Sequence, residues 1–398
     1  MNTPFPSRQL NRRTALLGLG VAVTLGRASL ALAAAPTDRR LVVVILRGAM
    51  DGMAAVVPYG DPALAGLRPG LLPPEPGREG GLLDLGGFFG LHPALAGLHR
   101  MFAAGQLLPV HAVAGPVRTR SHFEAQDIME SGAEQRLSSG WLNRAVLAMP
   151  ARPAAGQPLS IGVALPLLLR GPAPVGAYAP SGSAHPEPEL YARLVALHAH
   201  DPVTGPALRQ GLAERGFTGT TLAGTEAPRD RYAFPALAGT AGKLLAAADG
   251  PRVAAMELGG WDTHASQSAR LQGPLAQLDA GLVALQEGLG AAWAQTAVLV
   301  MTEFGRTARA NGTGGTDHGT GTVAFLVGGA VAGGRVLADW PGLADRQLLD
   351  GRDLAPTRDL RSLAKGLLAG HFGLDGPALL RAFPGSTGAP PSAGLVRA

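Results

Sequence analysis

The stretch LVVVIL, residues 41–46, decides the fold class of this chain. It is a continuous apolar run, rich in β-branched residues, without the alternation expected of a strand that has one solvated face. Such a run is typical of a strand buried on both faces, as in a parallel sheet. Comparable runs predict further strands at 107–113, 253–258, 297–301 and 322–327.

Helical patterns separate these strands. Leucines recur at spacings of four and three from residue 271 to residue 289, which predicts an amphipathic helix. Shorter helical patterns occur around 93–104, 188–200 and 358–368. Strands that alternate with helices predict an α/β fold with a parallel or mostly parallel central sheet.

Residues 1–33 read as an export signal. The pair Arg12–Arg13 precedes an apolar stretch, and a small-x-small cleavage pattern ends at Ala33. We expect a twin-arginine signal peptide, transport by the twin-arginine export machinery, and a periplasmic or secreted protein. A membrane anchor is the alternative, but Arg27 interrupts a run that is already short for a span. We expect no stable membrane span after cleavage.

The charge pattern argues against a nucleic-acid partner, and the cysteine content excludes disulfides. The formal net charge is +5, and the first 33 residues hold four arginines and no acidic residue, so their removal would leave +1. No basic patch interleaved with aromatic residues occurs, so we do not expect a nucleic-acid partner. The chain has no cysteine and therefore no disulfide.

After the signal, residues 34–385 are predicted to form one α/β domain. Between about 151 and 250 the periodicity degrades and Pro, Gly and Ala dominate, which indicates an insertion or cap packed on the main sheet. Residues 386–398 are rich in Pro, Gly and Ser and predict a flexible tail.

Acidic, histidine and arginine residues cluster directly after four of the five predicted strands. In an open α/β sheet, ligands bind outside the carboxyl ends of the strands. The clusters therefore predict a functional site at this edge. Their members are Arg47 and Asp51; Arg118, Arg120, Ser121, His122, Glu124 and Asp127; Asp262 and His264; and Glu303, Arg306, Asp317 and His318.

The third cluster contains a possible metal-ligating pair. In extended backbone, residues two apart point the same way, so Asp262 and His264 can meet one cation. Zn²⁺, Mn²⁺, Ca²⁺ or Mg²⁺ would suit a carboxylate-rich set. Alternatively, Asp262 caps the turn and His264 stacks on Trp261.

The fourth cluster begins at the end of a buried strand. An unpaired carboxylate is costly there, so Glu303 needs Arg306, another arginine or a cation as its partner. Asp317 could orient a histidine, cap a helix or ligate a metal. Arg306 could instead be a solvated loop charge, and the glycine-rich residues 311–315 predict a flexible bridge over the site.

Ser121 also permits two interpretations. A serine at a helix N-terminus, close to Arg120 and a metal, could be a nucleophile on phosphorus or sulfur. Alternatively Ser121 and Glu124 form a capping box, a role that does not fully exclude the first.

Several separated motifs occur together in one order: LRGAMDG, FFGLHPAL, TRSHFEAQDIMESG, GGWDTH, and TEFGRT followed by GGTDHG. In this combination the chain resembles, over about residues 41–374, an exported bacterial family catalogued as domain of unknown function 1501. That family looks like a branch of the alkaline phosphatase and sulfatase superfamily. The resemblance implies a three-layer α/β/α fold, a mostly parallel central sheet and divalent metals above the strand ends.

The resemblance also implies residue roles. Asp51 resembles the first-strand Asp that holds one metal. Asp262 and His264 resemble the Asp–His pair of the other metal, although the superfamily pair is usually spaced more widely. Glu303 stands at the Asp of an Asp-His-Gly motif.

In the same comparison, His318 resembles the last metal-binding histidine, and Ser121 is the best match to the nucleophile. Phe304 departs from the pattern, because a second metal-binding histidine is usual there. One metal site is therefore expected to be weakened, altered or absent.

The function expected from these features is metal-dependent hydrolysis of phosphate or sulfate esters, with a small-molecule or polymer substrate. The alternative is a non-catalytic metal-binding or assembly protein that retains the fold. The expected metal ligands are Asp51, Asp262, His264, Glu303, Asp317 and His318, and the expected catalytic residues are Ser121, Arg47, Arg120 and Arg306.

Overall fold

The structure is a computed structural model. It describes residues 38–149, 157–180, 188–198 and 233–397, with scattered positions between 199 and 232. The predicted signal peptide at 1–33 and much of the predicted insertion lie outside the described residues.

The strand pattern produces one large sheet. Among the described residues the strands are β1 (Arg40–Leu46), β2 (Val56–Val57), β3 (Leu83–Asp84), β4 (Gly90–Leu91), β5 (Leu107–Ala114), β6 (Leu159–Ile161), β7 (Gly176–Tyr178), β8 (Val253–Leu258), β9 (Thr296–Thr302), β10 (Thr322–Val327) and β11 (Arg358–Asp359). Eight of them form the large sheet in the order β11-β5-β10-β9-β1-β8-β6-β7, and the other three form a second sheet in the order β2-β4-β3.

The central strand β1 pairs in parallel with β8 on one side and β9 on the other. Strand β10 runs antiparallel to both of its neighbours, β9 and β5, whereas the remaining pairs of the large sheet are parallel. The prediction of a mixed α/β protein with a mostly parallel sheet is confirmed, and the five predicted strands are β1, β5, β8, β9 and β10.

The helices are α1 (Gly52–Ala55), α2 (Leu64–Leu67), α3 (Ala96–Ala103), α4 (His122–Ser131), α5 (Trp141–Val146), α6 (Pro188–Leu197), α7 (Phe234–Ala246), α8 (Gln267–Arg270), α9 (Gln272–Leu289), α10 (Leu360–Phe372) and α11 (Gly376–Ala382). Short 3-10 helices span Pro93–Leu95, Leu167–Leu169, Gly290–Gln295 and Asp345–Gln347. Within the described ranges, no helix combines the length and apolarity that crossing a bilayer requires.

Both faces of β1 are buried, as its apolar run predicts. Val42, Val44 and Leu46 join one hydrophobic cluster, which includes side chains of α3, α7 and α9. Leu41, Val43 and Ile45 join a second cluster with side chains of α5, α10 and α11. Because every β1 side chain is withdrawn from water, this strand anchors the sheet whose carboxyl edge carries the polar clusters.

Two segments differ from the simplest expectation. Within the Pro- and Gly-rich region, β6 and β7 extend the main sheet beyond β8. The residues from 386 onward, predicted to be a flexible tail, instead pack on the body of the protein. Lys365 donates to the carbonyls of Ser386 and Ala389 at 2.6 and 2.8 Å, and Val396 forms a β-bridge with Val331.

Candidate metal centre

The sheet topology brings the polar clusters to one edge. Strands β1, β8, β9 and β5 all end at this edge because they run in the same direction. Strand β10 is antiparallel and begins there, so the loop of residues 303–321 leaves β9 and re-enters the sheet without leaving the edge. Residues far apart in sequence thereby meet above the strand ends.

His122, Asp262 and His318 form a group that could hold a metal ion, with one ligand atom from each residue within 4.8 Å of the others. The Nε2 atoms of His122 and His318 are 3.0 Å apart. Asp262 places Oδ1 3.4 Å from His318 Nε2 and Oδ2 3.5 Å from His122 Nε2. Tetrahedral ligands at about 2.0–2.1 Å from zinc lie about 3.3–3.4 Å from one another, so these separations suit one cation.

The two imidazoles are oriented by acceptors on their far sides. His122 Nδ1 lies 2.8 Å from Glu303 Oε1, and His318 Nδ1 lies 2.9 Å from the carbonyl oxygen of Arg120. Carboxylate and carbonyl oxygens only accept, so each Nδ1 carries a proton. In the neutral rings both Nε2 atoms are then lone-pair acceptors that face each other, an arrangement that requires a proton or a cation between them.

Glu303 is buried, and four donors surround its carboxylate. Gly48 N, His122 Nδ1 and Gln126 Nε2 donate to Oε1 at 2.8–2.9 Å, and Thr302 Oγ1 donates to Oε2 at 2.9 Å. Burial raises the pKa of Glu303, but these hydrogen bonds outweigh it and the net pKa is lowered. Glu303 therefore orients His122 as an ionised carboxylate, in place of the direct metal contact expected from the sequence.

His264 lies beside the three-residue group. Its Nε2 is 3.0 Å from both His318 Nε2 and Asp262 Oδ1, and its Nδ1 is 3.4 Å from Asp317 Oδ1. Asn311 donates to Asp317 Oδ1 at 3.0 Å and to the carbonyl of His264 at 2.9 Å. Asp317 thus orients His264, which is one of the roles that the sequence leaves open for it. Asn311 restrains the loop of residues 311–315, which its glycines predict to be a flexible bridge.

Arg306 is fully buried and forms an ion pair with Asp262. Its guanidinium also donates to the carbonyls of Gly48, Ala49 and Thr316 and lies 3.4 Å from His264 Nε2. Burial raises the pKa of Asp262, but the attraction of Arg306 prevails and lowers it. Arg306 is therefore a buried counter-charge rather than a solvated loop residue.

The turn after β1, which accepts hydrogen bonds from the Arg306 guanidinium, contains two residues with positive φ. Gly48 has φ +116°, and a Cβ there would lie 2.9 Å from the backbone N of Asp262. Ala49 has φ 60°, a left-handed conformation that is uncommon for a residue with a side chain. Such strain is found where the surrounding structure fixes it, often at functional sites.

The model of the family described as "Protein of unknown function (DUF1501)" matches residues 108–382. The chain belongs to this family. No curated protein matches the chain. Among solved structures, the crystal structure of Ps i-CgsB in complex with k-i-k-neocarrahexaose resembles it distantly, with a TM-score of 0.34 and 10% identity over 89% of this chain and 77% of that chain.

In this DUF1501 protein Asp51 has partners other than a cation. Its carboxylate accepts from Arg68 Nη1 at 2.6 Å, Gln267 Nε2 at 2.7 Å and the backbone N of Met53 at 3.1 Å. Asp51 and Arg68 are both almost completely buried, so the guanidinium neutralises the charge that the sequence assigns to a metal.

The other predicted catalytic residues differ in how far they are engaged. Arg47 forms ion pairs with Glu130 and Glu257. Arg120 donates from Nη2 to Asp353 at 3.0 Å, and its side chain is 42% exposed. Among the described residues no other partner is found for its guanidinium, so Arg120 is the predicted arginine with N–H groups to offer a ligand.

Ser121 immediately precedes α4 and is exposed. Its side chain makes no capping hydrogen bond, and Glu124 instead accepts from Thr119 Oγ1 at 2.7 Å. The capping box is therefore not formed, because its acidic member is engaged elsewhere. The Ser121 hydroxyl has no hydrogen-bond partner within the described part of the chain.

His122 is not among the predicted ligands, although it lies in the predicted cluster after β5. The sequence instead assigns the reactive role in that cluster to Ser121, as a nucleophile. The signal that could have identified His122 is the same one that identified His318, a histidine at the sheet edge. The hydrogen bond that His122 donates to Glu303 is the main reason that the pKa of His122 is raised, whereas burial lowers the pKa of His318.

Phe304 occupies the space beside these histidines. Its ring centroid lies 5.0 Å from that of His122 and 5.2 Å from that of His318. The residue therefore packs against candidate ligands, and the position offers no further donor atom to a cation.

Proposed function

We propose that this protein is an exported metal-dependent hydrolase of phosphate or sulfate esters, with the three-layer arrangement of the alkaline phosphatase superfamily. One observation carries the proposal: the Nε2 lone pairs of His122 and His318 converge at 3.0 Å beside the carboxylate of Asp262. Imidazoles held with their lone pairs towards a common point are characteristic of metal sites with oriented ligands.

His122, Asp262 and His318 would hold the cation, and His264 would join them from the side of Asp317. A set with three imidazoles suits Zn²⁺ or Mn²⁺ better than Ca²⁺ or Mg²⁺, which prefer oxygen ligands. When bound, such a cation polarises an ester oxygen and lowers the pKa of a nucleophile near it.

The chain's own residues supply the remaining parts. Ser121 precedes the candidate ligand His122, and among the described residues its hydroxyl has no hydrogen-bond partner, so it is the proposed nucleophile. Arg120 has N–H groups to offer the negative oxygens of a phosphate or sulfate. Arg306 cannot take this role because its donors are used by Asp262 and by backbone carbonyls; it holds Asp262 in its ionised form instead.

The mature protein purified from the periplasm should contain about one equivalent of zinc or manganese by mass spectrometry. Replacing His318 with Ala should abolish both metal binding and hydrolysis of aryl phosphates or aryl sulfates. Replacing Ser121 with Ala should abolish hydrolysis and leave the metal, whereas the exposed and distant Ser138→Ala should change neither.

A second function is favoured by the ion pair between Arg306 and Asp262. This pair removes much of the charge that a catalytic cation would meet, and four protein ligands around zinc would form a closed, structural site. In that case the protein retains metal for folding or assembly. Stoichiometric zinc with no turnover on any aryl phosphate, phosphodiester or aryl sulfate would identify this function and exclude the hydrolase.

A further inference from the structure

A cavity of about 230 Å³ lies between α8 and the loop that precedes β3. His122, Asp262 and His318 do not line it. Its lining includes Leu71, Pro73, His92, Gln267, Ser268 and Leu271, and among the described lining residues no Asp, Glu, Lys or Arg occurs. The volume corresponds to roughly seven or eight water molecules and is below the ~300 Å³ at which drug-sized sites begin.

His92 is the principal polar group of this cavity. Its Nδ1 accepts a hydrogen bond from the backbone N of Ala94 at 3.1 Å. Burial lowers the pKa of His92 to about 4, so the ring is neutral at pH 7 and its proton lies on Nε2. Within the described part of the chain, this Nε2–H has no hydrogen-bond partner. The cavity therefore offers a neutral N–H donor to a ligand.

The other polar residues add little. Gln267 donates to Asp51 at 2.7 Å and accepts from Thr263 and Thr316 at 3.0 and 2.6 Å, so its amide is already used. Ser268 donates its hydroxyl proton to the carbonyl of Gly70 at 3.2 Å, which leaves its oxygen able to accept. Gln272 also lines the cavity and is exposed. The cavity thus presents the His92 donor, the Ser268 acceptor and the Gln272 amide beside the apolar side chains of Leu71, Leu72 and Leu271.

We propose that this cavity is a binding site for an uncharged, hydroxylated ring of monosaccharide size. A ring or hydroxyl oxygen accepts from His92 Nε2–H, and a second hydroxyl donates to Ser268 Oγ. The C–H face of the ring packs on Leu71, Pro73 and Leu271. A charged ring is excluded because the lining offers no counter-charge to offset its desolvation.

Saturation-transfer NMR on the full chain tests the site with methyl α-glucopyranoside, methyl α-galactopyranoside and methyl α-mannopyranoside as probes. At least one should bind saturably in the millimolar range, whereas methyl α-glucuronide and glucosamine should not. His92→Asn should weaken that binding at least tenfold, because asparagine can still accept from Ala94 N but lacks the donor at Nε2. His99→Asn is the matched control and should bind as the wild type does.

Ser268→Phe would fill the cavity mouth and should abolish the signal, which decides the matter even if His92→Asn does not fold. The proposal is overturned if none of the three neutral glycosides binds the folded wild type. It is equally overturned if the charged sugars bind as well as the neutral ones, or if both cavity variants retain wild-type affinity.

Discussion

Replacing Glu303 with glutamine would remove one charge from behind His122 while preserving the shape of the site. The glutamine Oε1 can still accept from His122 Nδ1, Gln126 Nε2 and Gly48 N, and its amide can donate to Thr302 Oγ1. Only the ionic character of the hydrogen bond to His122 is lost. Acceptors behind metal-ligating histidines typically contribute about 10- to 100-fold in metal affinity.

We therefore expect Glu303→Gln to weaken zinc binding by about 10- to 100-fold, equivalent to about 1.4–2.8 kcal/mol. Competition with a chelator of known affinity measures this change. In the metal-free protein, NMR titration should show that the pKa of His122 falls, because the hydrogen bond that His122 donates to the Glu303 carboxylate is the main reason that this pKa is raised.

Asp345→Asn is a suitable control, since that exposed carboxylate pairs with Arg309 on the surface. It should leave both quantities unchanged. If Glu303→Gln binds zinc as tightly as wild type and the pKa of His122 does not move, Glu303 does not orient a metal ligand and the reasoning fails.

Three further predictions concern stability. Burial lowers the pKa values of His111 and His371 to about 4, so between pH 6.5 and 4 the unfolded chain binds more protons than the folded protein. Urea unfolding should therefore show that the free energy of unfolding decreases as the pH falls from 6.5 to 4, by up to about 1.4 kcal/mol per pH unit for each histidine. A free energy of unfolding that does not change over this window would contradict the prediction. Lys365→Met should cost about 1–3 kcal/mol, because the carbonyl of Ala389 loses its Lys365 donor whereas that of Ser386 keeps the backbone N of Ala389, and unchanged hydrogen exchange after residue 386 would contradict the packing described above. Arg68→Met should destabilise the fold by about 3–5 kcal/mol because Asp51 keeps a buried charge without its partner, and denaturation at wild-type urea concentrations would refute this.

The strands that could be predicted from the sequence are those long enough to show a continuous apolar run. Strands β1 and β9 have seven residues each and are wholly buried, so their apolar runs stand out in the sequence. Strands β6 and β7 have three residues each, too few to show any period in a region dominated by Pro, Gly and Ala. The C-terminal packing depends on Lys365, whose partners are backbone carbonyls that no sequence pattern reveals.

The position of the site could be predicted from the sequence, but the hydrogen bonds and ion pairs among its residues could not. The rule that ligands bind at the carboxyl ends of strands identified the clusters that contain Asp262 and His318. It did not show which carboxylates are already neutralised. Asp51 meets Arg68, whose guanidinium is also held by the carbonyls of Thr307 and Ala308, and Glu303 meets the far side of His122. Both acidic residues lie at the predicted edge, but in the structure their carboxylate oxygens accept hydrogen bonds from other groups of the chain.

The most direct test of the central claim is anomalous X-ray diffraction from crystals of the protein soaked in zinc or manganese, recorded on both sides of the metal absorption edge. We predict an anomalous peak bonded to His122 Nε2, His318 Nε2 and a carboxylate oxygen of Asp262, at about 2.0–2.2 Å from each. Ordered side chains with no peak among these three residues, or a peak only at another position, would contradict the assignment of a metal centre.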